Sequence, residues 1–172
     1  MKRHVSLHDL SRDHLLALVH ARALRRAAAG EPDAGTVEEA ARAFVVPWHE
    51  DVLHHFREEE EVLLPILARH EPPTASEDVR RLLDDHAWLR EAAADLEERL
   101  GRGAAGDVRD LAARIGERLD AHARLEERQV FPRLEALFTP LDLEDLARRS
   151  LAFRERWRGP GSIGPDRGHE PR

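Results

Sequence analysis

An all-α fold is predicted: an antiparallel up-down-up-down four-helix bundle followed by a short fifth helix. Three observations predict it. Apolar residues recur every three or four positions along most of the chain, which is helical rather than strand spacing. The Gly- and Pro-containing stretches "GEPDAG" at 30–35, "EPPTAS" at 71–76 and "GRGAAG" at 101–106 cut that pattern into four long amphipathic segments. The block "HHFREEEEVLLP" at 54–65 returns at 121–132 as "AHARLEERQVFP", so the second and fourth segments share one plan.

The first segment carries Leu7, Leu10, His14, Leu18, Ala21, Leu24 and Ala28 on one stripe. Thr36, with Glu39 three residues later, has the form of a capping box and opens the second. Its stripe is Val37, Ala41, Phe44, Trp48, Val52, His55, Glu59, Val62 and Ile66. Pro47 and Pro65 fall inside it and predict kinks, because proline removes a helical hydrogen bond and crowds the preceding turn. The third stripe is Val79, Leu82, His86, Leu89, Ala93, Leu96 and Leu100. The fourth is Val108, Leu111, Ile115, Leu119, His122, Glu126, Val130 and Leu137. Thr139 and Pro140 suit the start of a fifth helix running to about Trp157. The predicted organisation is therefore a bundle over 1–138, an accessory helix over 139–157 and a disordered, Gly/Pro-rich tail over 158–172 that holds His169.

Composition narrows the functional classes. With 172 residues the chain can bury one sizeable core. Its 34 acidic against 27 basic side chains, net −7, argue against nucleic acid as a partner. Cysteine is absent, which removes thiolate ligands, disulfides and cysteine nucleophiles. No stretch approaches the ~20 apolar residues of a membrane span, so a soluble cytoplasmic protein without a membrane partner is expected.

Each of the four stripes contains a histidine at a core position, and two contain a glutamate four residues after it. Positions i and i+4 lie only about 40° apart round a helix, so His55 with Glu59 and His122 with Glu126 share a face. Glu58 and Glu60 lie farther round, and the second copy decides among them, since its i+3 position is Leu125 while i+4 remains Glu126. Counted from the loops at ~1.5 Å per residue, His86 and His122 reach nearly the same level, while His55 is offset from His86, and His14 from His55, by roughly 7 Å each, and the four side chains are expected to converge on one layer. A lone stripe histidine usually reads as a hydrogen-bonded core residue, and a glutamate run as a solvated face. Two carboxylates at core level are different, because burying unpaired charge is costly and a cation removes that cost. His14, His55, Glu59, His86, His122 and Glu126 are thus the predicted metal ligands. Four imidazoles and two carboxylates suit iron, manganese or zinc. The internal repeat suggests two ions, each held by two histidines and bridged by Glu59 and Glu126.

His54 points about 100° away from His55, and His4, His8, His20, His49 and His70 have no counterpart in the second copy, so these are expected at surface or boundary positions. Trp48 and Trp88 are expected to pack in the core. Arg57 and Arg124 are expected to form ordinary helix salt bridges with nearby glutamates.

The stretches "RDHLLAL" around His14, "HFREEEEVLLP" from His55, "DDHAWLR" around His86 and "HARLEERQVFP" from His122 resemble the hemerythrin-like (HHE cation-binding) family over roughly residues 6–138. The resemblance implies a carboxylate-bridged di-iron centre, two iron ions with an oxide or hydroxide bridge. It also implies a small diatomic or peroxide ligand, because family members bind oxygen, sense oxygen or iron, bind nitric oxide, or decompose peroxide. Oxygen carriers of the family add a histidine one turn after the third-helix histidine, where this sequence has Arg90, and a guanidinium is not a ligand. They also use an aspartate at i+5 where this chain has Glu126 at i+4, which leaves Glu127 at i+5 as a fallback ligand. Two classes follow: a binding or sensing module, or an enzyme that disproportionates peroxide or reduces nitric oxide. A metal-free structural bundle is a third.

Overall fold

The computed structural model describes residues 3–103 and 108–158; among them every regular element is helical. A 3₁₀ turn, Val5–Leu7, leads into helix α1, His8–Ala29. Gly30 ends α1 in the left-handed conformation at φ 69°, where its N–H reaches back to the Ala27 carbonyl, a geometry glycine adopts without a Cβ clash. Helix α2 is a continuous run over residues 37–67, opened by the expected Thr36–Glu39 capping box. Helix α3 is Glu77–Gly101, and α4 runs over residues 109–137. Helix α5, Pro140–Arg158, begins where Thr139 and Asp142 cap each other reciprocally. The expected tail lies outside the described residues from 159 onward.

Proline shapes α2 and α4 in a way simple periodicity missed. Both helices stay continuous but contain wide π-turns, Trp48–Val52, Glu59–Leu63 and Glu126–Val130. In the last two the glutamate carbonyl is reached by the N–H five residues on, that of Leu64 or Phe131, immediately before Pro65 or Pro132, which has no N–H to give. The extra residue advances the helix face by about 100°. Leu137, expected in the stripe, is therefore only half-buried, while Phe131, Leu134 and Phe138 carry the core.

The four long helices close a ring of neighbours: α1 against α2, α2 against α3, α3 against α4, and α4 against α1. The α1/α4 contact is the most extensive, and Gly116 allows it, since a Cβ there would stand 2.6 Å from the Ala21 carbonyl oxygen. The interior has two apolar clusters, one around Leu24, Phe44, Trp48, Leu96 and Ile115, the other around Leu7, Leu67, Leu82, Phe131 and Leu134. Between them lies a polar layer. Passing along α1, the chain crosses Leu10, His14, Ala17; along α2, Phe56, Glu59, Val62; along α3, Leu82, His86, Leu89; and along α4, Leu119, His122, Leu125. Helix α5 lies over the Val5–Leu7 turn and the Glu59–Leu63 π-turn, burying Leu146, Phe153 and Arg154. Among the described residues no helix is long and apolar enough to cross a membrane.

Candidate metal centre

The polar layer consists of His14 from α1, His55 and Glu59 from α2, His86 from α3, and His122 and Glu126 from α4. None is more than 4% exposed. The structure brings them into two overlapping groups, His14, His55, Glu59 and Glu126 on one side and Glu59, His86, His122 and Glu126 on the other. Within each group one donor atom per residue lies inside 4.8 Å of the others. Both glutamates belong to both groups. Glu59 turns Oε1 toward His55 Nε2 at 3.6 Å and Oε2 toward His86 Nε2 at 3.1 Å. Glu126 turns Oε2 toward His14 Nε2 at 3.2 Å and Oε1 toward His122 Nε2 at 2.6 Å.

These approaches are close but poorly aligned. Both oxygens of Glu59 and of Glu126, and Nε2 of His86 and His122, remain buried without a hydrogen-bond partner. Buried orphan acceptors of that number are rare and costly, and they all face one small volume. His14 Nε2 and His55 Nε2 lie 3.0 Å apart, the spacing of two donors at right angles that each stand about 2.1 Å from one ion. The residues present fit a bound cation.

Electrostatics says the same. Burial opposes charge on His122, yet the Glu126 carboxylate raises its pKa to about 9. His14 and His55 are raised too, burial again being outweighed, by Glu126 for His14 and chiefly by Glu59 for His55. Burial and the charge of Glu126 push Glu59 upward, while Glu126 is held down because His122 and His14 outweigh its own burial. Two buried carboxylates call for positive charge, from ring protons or from metal ions, and neutral imidazoles with bound cations satisfy it without crowding like charges.

Just outside, His14 Nδ1 meets Glu127 Oε1 at 2.8 Å and His86 Nδ1 meets Glu60 Oε1 at 2.7 Å. Burial would raise the pKa of both glutamates. Glu60 is nonetheless held at about 2 by His86 and Arg90, and Glu127 at about 2 by His14, Ser11 and Arg3. Glu127, the fallback candidate, thus points at the far side of His14 and not into the layer. Arg90 donates to both oxygens of Glu60, at 2.8 and 2.9 Å, and lies over the Phe56 ring. A narrow cavity between α1, α2 and α4, walled by Ala17, Val52 and Phe56, reaches His14, His55 and His122 and has room for about one water-sized molecule.

Other expectations need adjustment. His54 is buried, not at the surface, because α5 covers it with Phe153 and Trp157, ring centroids 4.9 and 4.8 Å away. Trp48 is in the core, but Trp88 is half-buried, with Arg114 and Arg118 over its ring at 5.1 and 4.9 Å. Arg57 pairs with Glu61 as expected, whereas Arg124 pairs with Asp120, one turn earlier, instead of a glutamate. Sequence reasoning passed over Asp13 and Asp85, each directly before a stripe histidine and each facing another histidine's ring. The repeated Asp-His dipeptide was the available signal.

A helical bundle with a buried histidine layer around two shared carboxylates has the donor set of a cation-binding bundle. The model of the hemerythrin HHE cation-binding domain matches residues 5–156, and the chain belongs to that family. The match extends through α5 nearly to its end. No curated protein and no solved structure matches the chain.

Proposed function

We propose that the chain holds two iron ions in a carboxylate-bridged centre that binds or reacts with small oxidants, namely dioxygen, hydrogen peroxide or nitric oxide. What carries this reading is the division of each glutamate, with one oxygen toward each histidine pair. His14 and His55 would hold one ion, His86 and His122 the other, and Glu59 and Glu126 both. Bound iron would supply open coordination positions and exchangeable electrons. The chain supplies the rest. Apolar layers on either side of the centre exclude water, and the one-water cavity admits only molecules of a few atoms. Arg90 is occupied by Glu60, so the position where oxygen carriers place a further histidine offers no donor, which favours turnover of peroxide or nitric oxide over storage of oxygen. The order in which the helices cross the polar layer supports an up-down-up-down bundle. A sensing role without turnover would use the same centre, with α5, packed on the Glu59–Leu63 turn, as its mechanical outlet.

The test is the metal content and optical spectrum of anaerobically purified protein, before and after oxygen or peroxide. About two irons per chain with a near-ultraviolet band are expected, and gas evolution from peroxide would mark an enzyme. One zinc, or no metal with an intact fold, would end the redox reading.

A further inference from the structure

A histidine that offers Nε2 to a cation carries its proton on Nδ1, and a buried N–H needs an acceptor. Two rings have one at hydrogen-bonding distance, Glu127 for His14 and Glu60 for His86. The other two face carboxylates more loosely: His55 Nδ1 is 3.7 Å from Asp13 and His122 Nδ1 is 3.8 Å from Asp85, and neither nitrogen has another hydrogen-bond partner. Each histidine meets its own carboxylate across a helix boundary. The arrangement follows the internal repeat, since Glu60 and Glu127 occupy equivalent places and Asp13 and Asp85 each precede a stripe histidine.

Acidic residues abound in this chain, so proximity alone proves little. The arginines add an independent observation. Arg3 holds Glu127 at 2.8 Å, Arg154 holds Asp13 at 2.6 Å, Arg90 holds Glu60 at 2.8 Å, and Arg118 holds Asp85 at 2.6 Å. They come from the N-terminal segment, α5, α3 and α4, without following the repeat. A carboxylate gripped by a guanidinium stays ionised and keeps its orientation. Arg154 is the most deeply placed, 9% exposed, and also pairs with the buried Glu58 at 2.6 Å.

We propose that these four arginine-held carboxylates form an outer shell that fixes the histidine rings with Nε2 inward, and that Arg154 makes helix α5 part of the metal centre. Asp13, Glu60, Asp85 and Glu127 are positioning residues in this scheme; they touch the rings and not the ions. The proposal rests on the two-ion reading above.

Co(II) titration of the full-length metal-free chain, with a competing chelator and visible absorption as the readout, tests it. Glu60→Gln and Glu127→Gln should each weaken Co(II) binding about 10–100-fold while helical circular dichroism is unchanged. Glu61→Gln, in the same glutamate run but paired with exposed Arg57, should bind as wild type. Arg154→Lys keeps the charge but cannot grip Asp13 and Glu58 together, and it should weaken one of the two Co(II) equivalents and spare the other. Wild-type affinity in both glutamine variants would overturn the outer shell, and two unaltered equivalents in Arg154→Lys would remove α5 from it. Wild-type protein that takes up fewer than two Co(II) would instead overturn the two-ion reading, and this proposal with it.

Discussion

Around His86 and His122, every neighbouring carboxylate and arginine belongs to the bundle itself: Glu60 from α2, Asp85 and Arg90 from α3, Arg118 from α4. Around His14 and His55 the carboxylates, Glu127 and Asp13, again belong to the bundle, but the arginines are Arg3, before the first helix, and Arg154, in the last. The inner residues repeat while their supports do not. A duplicated motif therefore fixes the residue types in the layer without fixing how firmly each half is held.

The largest change should come from residues the halves share. If the chain holds two ions as proposed, Glu59→Ala, which removes an oxygen from each side, should lose both; a metal-to-protein ratio still near two would show that the halves do not depend on a common carboxylate. Next comes Gly116→Ala, which puts a methyl group against the Ala21 carbonyl and forces apart α1 and α4, the helices of His14 and His122. It should cost about 1–3 kcal/mol in denaturant unfolding, and an unchanged midpoint would mean that the close approach carries no weight.

A smaller effect should separate the halves by pH. Hydrogen bonds from Thr139, and then His70, lower the Asp142 carboxyl at the start of α5 from 3.8 to about 2. A lowered folded-state pKa adds stability above the unfolded value and loses it as pH falls through the folded one. In metal-free protein, α5 should accordingly loosen between about pH 4 and pH 2, and Asp142→Asn should remove that component from melting curves recorded across this window. An identical pH profile in the variant would detach Asp142 from α5 docking. Smallest of all, His54→Phe should leave metal content intact, because His54 packs under α5 against Phe153 and Trp157. Loss of metal would mean that the wrong one of two adjacent histidines had been assigned to the layer.

Helix periodicity made the four long helices and α5 legible, and four core-level histidines with two His-x-x-x-Glu pairs located the polar layer. The π-turns were not legible by a 3.6-residue ruler, which finds Val130 but then runs on to Leu137 in place of Phe131 and Leu134. For the turns at Glu59 and Glu126 the signal was a proline six residues after the inward glutamate. Arg154 was out of reach for a different reason: it meets Asp13 across 141 positions of chain, and no local spacing encodes that pair. His54 looked like a surface residue because its cover comes from α5, a helix whose docking face periodicity alone does not assign.

Arg3 also carries a practical consequence. Its guanidinium bonds the side chain and the backbone carbonyl of Glu127, whose other oxygen meets His14. Only one side chain therefore separates the N-terminal segment from the polar layer. On the outer-shell proposal, an affinity tag joined just ahead of residue 3 would act on the support of Glu127, and one carried beyond α5 would act, at greater remove, on that of Asp13 through Arg154.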